Sequence, residues 1–406
     1  MADKSNGKKT ALSPPDADAG VLSSQLNWLN WRNLSDAQDA PVVEYPFYSD
    51  AHITGNFREG LGPYSFLNTG PFPHGPGIVN APIILRAEIH LPDYHPDMSK
   101  KDESLYHGGL WEDEIAALTS VALGIRIHAG GISREFNPGQ DPYGQPCEWH
   151  YEPKPIVRVR SNQLILPAVV GKHSMDQLKI LESIPQINPE RYVNLIRACR
   201  SYQNALWIAE SEPNLAWLMF VSALETAAND FYETDASPDE RLRASKPELA
   251  IYLEEYGDAE HVRKVAELIA SSLGATKKFR DFTMHFRPDA PAQRPKHETL
   301  QVKWSNSGLK RVLNKVYEYR SRYLHGGIPF PAPMLRFPDP IDNESPPPEV
   351  LFGLASYSQG GTWLKKDVPI NLHCFHYITR GVLLNWWQDA LMQSSPHLDQ
   401  DMEKAS

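Results

Sequence analysis

The chain has 406 residues, 41% of them hydrophobic, with a formal charge of −10 and three cysteines. That length supports a sizeable core divided over about two or three domains and excludes a single small module. The acidic balance excludes a uniformly basic nucleic-acid coat, no run of about 18 apolar residues marks a membrane span, and Cys147, Cys199 and Cys374 cannot build a disulfide framework, so a reducing cytoplasm is the expected setting.

The opening MADKSNGKKTALSPPDADAG is polar and lacks the apolar run of a signal peptide, so residues 1–21 are expected to form a disordered N-terminus. Residues 22–175 read as an α+β domain of unassigned role. PIILRAEIHL (82–91) alternates as a strand does, LWEDEIAALTSVALG (110–124) has helical spacing, and IRIHAGG (125–131) and PIVRVRS (155–161) resemble further strands.

From residue 176 to 394 the pattern is helical. Asn188 with Pro189 opens a helix to about residue 210, Ser211 with Pro213 opens NLAWLMFVSALETAAND, and Ser245 with Pro247 opens ELAIYLEEYG, which Gly257 ends. Further helices are expected at about 258–272, 276–286 and 307–324, and INLHCFHYITRGVLLNWWQDALMQ (370–393) supplies a last long one. The proline-rich excursion at 329–349, running on irregularly to about 367, reads as a surface insertion between two helices of one bundle, and 395–406 as a flexible tail. Trp386 and Trp387 on the last helix suit a core or an oligomer face. Charge is uneven: residues 263–322 hold fourteen Lys and Arg against five Asp and Glu, which marks either a solvated basic face or a local attraction for phosphate.

The stretch YEYRSRYLHGG (317–327) concentrates the chemistry. Leu309, Leu313, Val316, Arg320 and Leu324 share one helical face, so Arg320 falls among core-directed positions and needs a partner. Glu225, in the nearly all-apolar AWLMFVSALETAA, is the candidate, since either charge buried alone would be costly. His325 follows Arg320 at i+5, roughly 140° away on a continuous helix, so both can face one phosphate only if the helix stops. Gly326 or Gly327 can supply that stop in a left-handed conformation; the alternative for His325 is a cap favoured by the helix dipole. Ser321 suits either a phosphate contact or a turn cap, Arg322 a solvated charge or an RNA-backbone contact, and Tyr317 and Tyr323 core packing or base stacking.

RSRYLHG, with Arg320, Ser321, His325 and Gly326, resembles the signature of HEPN domains, specifically the Apea-like subgroup. The upstream helix bearing Glu225 is similar to the family's early helix with an acidic residue in an apolar context. The resemblance covers roughly 190–393, and the insertion after His325 departs from a minimal HEPN bundle. It implies an all-α helical bundle that acts as a metal-independent endoribonuclease without cofactor, in the setting of a toxin or anti-phage defence effector. It further implies His325 as general acid or base, Arg320 on the scissile phosphate, and a site completed by a second copy of the domain. The chemistry is sound on first principles. A free imidazole titrates at about pH 6.5 and can exchange a proton with an RNA 2′-hydroxyl or leaving oxygen, while a guanidinium offers paired donors to phosphate. The competing expectation is a non-catalytic module that binds RNA or a protein partner, with Arg320 and Glu225 structural.

Other signals are weaker. CEWH (Cys147, His150) and HCFH (His373, Cys374, His376) contain zinc-type ligands without a paired C-x-x-C, and HLPDYHPD (90–97) mixes His and Asp in a proline-rich loop, so no metal is assigned. No phosphate-binding P-loop, nucleophile elbow or dinucleotide turn is present.

Overall fold

The structure is a computed structural model in which residues 20–33, 40–70, 75–92, 97–137, 142–147, 153–159, 163–232, 237–269, 274–338 and 346–393 are described. The expected disordered N-terminus up to residue 19, the tail beyond 393, His150 and residues 93–96 and 339–345 lie outside them. The chain divides into a strand-rich unit (1–156, 171–196 and 390–406) and a helical unit (157–170 and 197–389), so the division is not a single cut near residue 175.

In the strand-rich unit, α1 (Ser23–Asn33) is followed by β1 (Val42–Ser49), β2 (His52–Thr54), β3 (Tyr64–Asn68) and β4 (Asn80–Glu88). Then come α2 (Trp111–Leu123), β5 (His128–Ala129), β6 (Arg134–Phe136), β7 (Gln145–Pro146) and β8 (Lys172–Ser174). The main sheet has the order β3-β4-β1-β6-β7, with β5 also pairing β1, while β2 and β8 form a small parallel pair. Alternating burial along β1 sends Val43, Tyr45 and Phe47 inward, where Phe66, Ile83 and Leu85 meet them. The helix over 110–124 forms as expected and ends at Gly124, whose φ of 71° is the left-handed cap.

One expectation is corrected. PIVRVRS forms no strand over its described residues 155–159, although Val157 is buried. The central strand β1 contains Pro46, which cannot donate to a ladder. Its partners on one side are interrupted: β6 pairs residues 42–44, β5 pairs residues 47 and 48, and the Pro46 carbonyl accepts from Gly130 between them, so the missing N–H falls in the gap.

Polar groups tie this unit together. Asp50 and Arg126, on strand continuations opposite each other, form an ion pair of 2.9 Å with both side chains 0% exposed. Glu114 of α2 accepts from the backbone and hydroxyl of Ser24 and pairs with His107 at 3.0 Å. Gln25 of α1 donates to the carbonyls of Ile184 and Ile187.

The remaining helices are α3 (Pro189–Ile208), α4 (Pro213–Phe231), α5 (Pro238–Ser245), α6 (Pro247–Tyr256), α7 (Ala259–Ile269), α8 (Ala275–His285), α9 (Asn306–Gly326) and α10 (Leu372–Gln393). A hairpin, β9 (Ala355–Ser358) with β10 (Gly361–Leu364), precedes α10. Asn188 caps α3 as expected, accepting from Glu190 at 3.0 Å. Ser211 is not the cap of α4: Glu212 holds that position, and the Ser211 hydroxyl turns back to the Ile208 carbonyl. Ser245 belongs to α5, a helix missed in the sequence, and Lys246 precedes α6.

The core of the helical unit centres on Trp217 of α4. Its ring stacks between Phe330 at 5.3 Å and Phe375 of α10 at 4.8 Å, and its indole N–H donates to the Met334 carbonyl. Trp386 and Trp387 are both buried, which places them in the core. Helices α5, α6 and α7 pack around a small cluster of their own, Leu242, Ala250, Val262 and Ala266.

The excursion after α9 is not the surface insertion expected. Phe330, Ala332 and Met334 on one side, and Val350 and Leu351 on the other, are core residues. Glu349 is pinned by a two-point ion pair with Arg294, so this cation of the basic run 263–322 serves internal structure.

Candidate active site

Helix α9 begins where Ser305 accepts from the Gly308 N–H, and it buries Leu309, Leu313 and Val316 against α4 and α8. The apolar stripe then fails: Arg320 is half-buried and Leu324 is 49% exposed, so the expected core position of Leu324 is wrong. The stripe rises out of the core over the last two turns, and the polar residues clustered there stay at the surface.

Arg320 and Glu225 meet as the sequence suggested. The guanidinium Nη2 donates to Glu225 Oε2 at 2.8 Å, with the two side chains 21% and 17% exposed. Sequence reasoning missed a third member, Tyr317, whose hydroxyl donates to Glu225 Oε1 at 2.8 Å and whose ring lies 5.3 Å from the guanidinium carbon. Burial, reinforced by the Glu225 charge, pushes the Tyr317 phenol up to about 12, so it stays a donor. Its i, i+3 spacing from Arg320 was the available signal. Tyr317 also packs on Phe279 of α8, so its role is core and anchor, while Tyr323 is half-buried.

His325 lies elsewhere. The helix does not stop before it: α9 continues through Gly326, and the left-handed residue is Gly327, φ 64°, whose N–H returns to the Tyr323 carbonyl. His325 is exposed in the last turn and, on helical geometry, about 140° from Arg320. It shares its face with Ser321 at i−4 and Arg322 at i−3. Arg322 is exposed, reaches Glu318 only at 3.9 Å, and stands over the Tyr319 ring at 5.6 Å. Lys310 and Arg311 extend this exposed basic face towards the start of the helix.

Gly326 and Gly327 differ in what they require. A Cβ on Gly326 would meet only Ile328 at 3.7 Å, whereas Gly327 holds a positive φ. Gly327→Ala is therefore expected to lower stability by about 1 kcal/mol and Gly326→Ala to leave it unchanged, measured by chemical denaturation.

The zinc-type residues are used in other ways. His376 pairs with the Tyr202 hydroxyl at 2.7 Å, Cys374 is buried, and Cys147 lies 3.8 Å from Glu135. Among the described residues, no group of three or more His, Cys, Asp or Glu is placed to hold a metal ion. Burial pulls the His373 pKa down to about 4, partly opposed by a hydrogen bond with the Pro347 backbone. The unfolded chain, with an ordinary histidine at about 6.5, takes up this proton first, so stability is lost as pH falls from about 6.5 towards 4. Between pH 7 and pH 5 this amounts to about 2 kcal/mol. His373→Gln, which does not titrate, is expected to flatten that part of the stability profile in urea titrations at the two pH values.

No helix among the described residues is long and apolar enough to cross a membrane. Comparison of the chain with protein-family models, with curated proteins and with solved structures found no match in any of the three.

Proposed function

We propose that the helical unit is a metal-independent endoribonuclease of the HEPN kind, with the C-terminal turns of α9 as its reactive element. The observation that carries this reading is the exposed His325 beside Ser321 and Arg322, one and a half turns beyond an arginine whose guanidinium is aligned by Glu225. His325 is the proton-transfer group. Arg320, with one N–H engaged by Glu225, has further donors for a phosphate oxygen, and Ser321 and Arg322 contact the adjoining backbone.

Because Arg320 and His325 diverge on one helix, a phosphate touched by both lies between two copies of α9, and the active form is a homodimer. One imidazole takes the proton of the RNA 2′-hydroxyl as that oxygen bonds to phosphorus. The bond to the 5′-oxygen breaks, and the leaving oxygen takes a proton from the imidazolium of the other copy. The products are a 2′,3′-cyclic phosphate and a 5′-hydroxyl.

The test is an RNA carrying a single 2′-deoxy nucleotide on the 5′ side of the cleaved bond, incubated with the full chain in EDTA. The reading expects cleavage at that bond to vanish; equal cutting of the deoxy strand contradicts it.

A second reading follows from the Arg320–Glu225–Tyr317 cluster itself. If the cluster only rivets α9 to α4, the unit is a non-catalytic module that binds RNA or a protein partner, and its RNA is bound but never cut.

A further inference from the structure

The β9–β10 hairpin has an apolar face turned to solvent. Its turn residues, Gln359 and Gly360, both have positive φ (51° and 79°), the geometry of a tight two-residue hairpin connection. The register pairs Tyr357 with Thr362 and Ala355 with Leu364, so these four share a face, and all four are exposed. Tyr357 is 75% exposed, and Leu354, just before the strand, is 86% exposed. The opposite face is half-buried and holds Trp363, folded over Gly361, where a Cβ would come within 2.4 Å of the ring.

The base of the hairpin is fixed to the helical unit. The Lys365 N–H donates to the Leu354 carbonyl, the Lys365 ammonium to the Thr299 carbonyl, and the Asp367 carboxylate accepts from the Leu364 N–H. The Asp367 carbonyl accepts from Tyr319 of α9 at 2.6 Å. Tyr319 is the ring over which Lys315 stands at 5.0 Å and Arg322 at 5.6 Å. The hairpin is thus anchored at the exposed basic face that ends in His325, about 9 Å further along the helix axis. Lys366 is exposed at the same base. The acidic side chains there are Glu318, paired with Lys315, Glu298, and Asp367, whose carboxylate is already engaged.

A two-stranded ribbon of four-residue strands gains little by itself from showing aromatic and aliphatic side chains to water. An outward tyrosine near the tip of a hairpin whose base carries Lys366 and meets Tyr319, the ring under Lys315 and Arg322, matches the two requirements of single-stranded nucleic acid, a surface for base stacking and cations for the backbone. We infer that this hairpin is a binding arm for single-stranded RNA, with Tyr357 stacking a base and Lys366, Lys315 and Arg322 meeting phosphates, and that it selects unpaired RNA for the α9 site. The inference rests on the nuclease reading for its use but stands on binding alone.

The experiment measures binding of a short unstructured RNA and of a duplex RNA by fluorescence anisotropy, with the full chain carrying His325→Ala to prevent cutting. Tyr357→Ser and Lys366→Glu in that background are expected to weaken single-strand binding, by about tenfold for the tyrosine. Tyr252→Ser, on the exposed face of α6, is expected to have no effect, and the duplex is expected to bind more weakly and to ignore Tyr357→Ser. Unchanged single-strand affinity in both hairpin variants overturns the inference, as does a chain that binds phosphatidylserine vesicles through Tyr357 but not RNA. RNA bound through Tyr357 by a wild-type chain that never cuts keeps the arm and removes the nuclease. Cutting whose KM ignores Tyr357→Ser does the reverse.

Discussion

His325→Ala is expected to lower RNA cleavage by a hundredfold or more while leaving the fold intact. General acid–base catalysis by a positioned side chain contributes about 10²–10⁴ in rate, and in the proposed dimer the substitution removes both the base, His325 of one copy, and the acid, His325 of the other. Its removal costs the fold little. His325 is exposed in the final turn of α9, so what is lost is its favourable place at the helix C-terminus, about 1 kcal/mol or less. Arg320→Ala makes the useful contrast. It strands Glu225 and removes the cation beside Tyr317, so cleavage and stability fall together, the latter by about 1–3 kcal/mol. Arg320→Lys restores the charge without the planar fork and is expected to recover stability before activity. Melting curves recorded beside cleavage rates separate the two effects.

Asp50→Ala is expected to give the largest loss of stability in the strand-rich unit. Asp50 and Arg126 are fully buried at 2.9 Å, and removing Asp50 takes from the buried guanidinium the carboxylate it is paired with. Breaking such a pair costs about 3–5 kcal/mol, a large part of the 5–15 kcal/mol that typically holds a domain together. The pair itself is not an efficient source of stability. Asp50 Oδ1 is buried without a hydrogen-bond partner, and desolvating both charges offsets most of their attraction. The double variant Asp50→Leu with Arg126→Met is therefore expected to regain much of the single variant's loss, which a double-mutant cycle in urea reads directly.

The helical unit was more legible in the sequence than the strand-rich one. Helices α3, α4, α6 and α8 announce themselves by apolar periodicity with nearby proline, glycine or cap residues. The helix α5 was also announced: Ser237 and Glu240 form a reciprocal capping box, a signal passed over because the segment is short and almost wholly polar. The hairpin carried a cue in SQGG, whose glycines permit a tight turn, but strands of four residues sit below the length at which alternation is persuasive.

Helix α1 could not be read by the usual rule because its buried residues include Ser24, Gln25 and Asn27, which hydrogen-bond to distant segments. Only tertiary partners make that face an inside face. Pro46 hid β1 for a related reason, since the gap between β5 and β6 that accommodates it is a property of the assembled sheet.

At the site, Glu225 and Arg320 were paired correctly because a charge in an apolar helix demands a partner elsewhere. The end of α9 was placed too early. Two adjacent glycines permit a stop at either, and the helix takes the later one, carrying His325 onto the face of Ser321 and Arg322. That extension, from about residue 324 to Gly326, is why a site using both Arg320 and His325 calls for a second copy.

The most direct test is to incubate the purified full chain and its His325→Ala variant with the same unstructured RNA in excess EDTA and to resolve the products with their end groups. The account predicts fragments ending in 2′,3′-cyclic phosphate from the wild type and intact RNA from the variant. Equal cutting by both, or RNA that is bound yet uncut by the wild type, contradicts it.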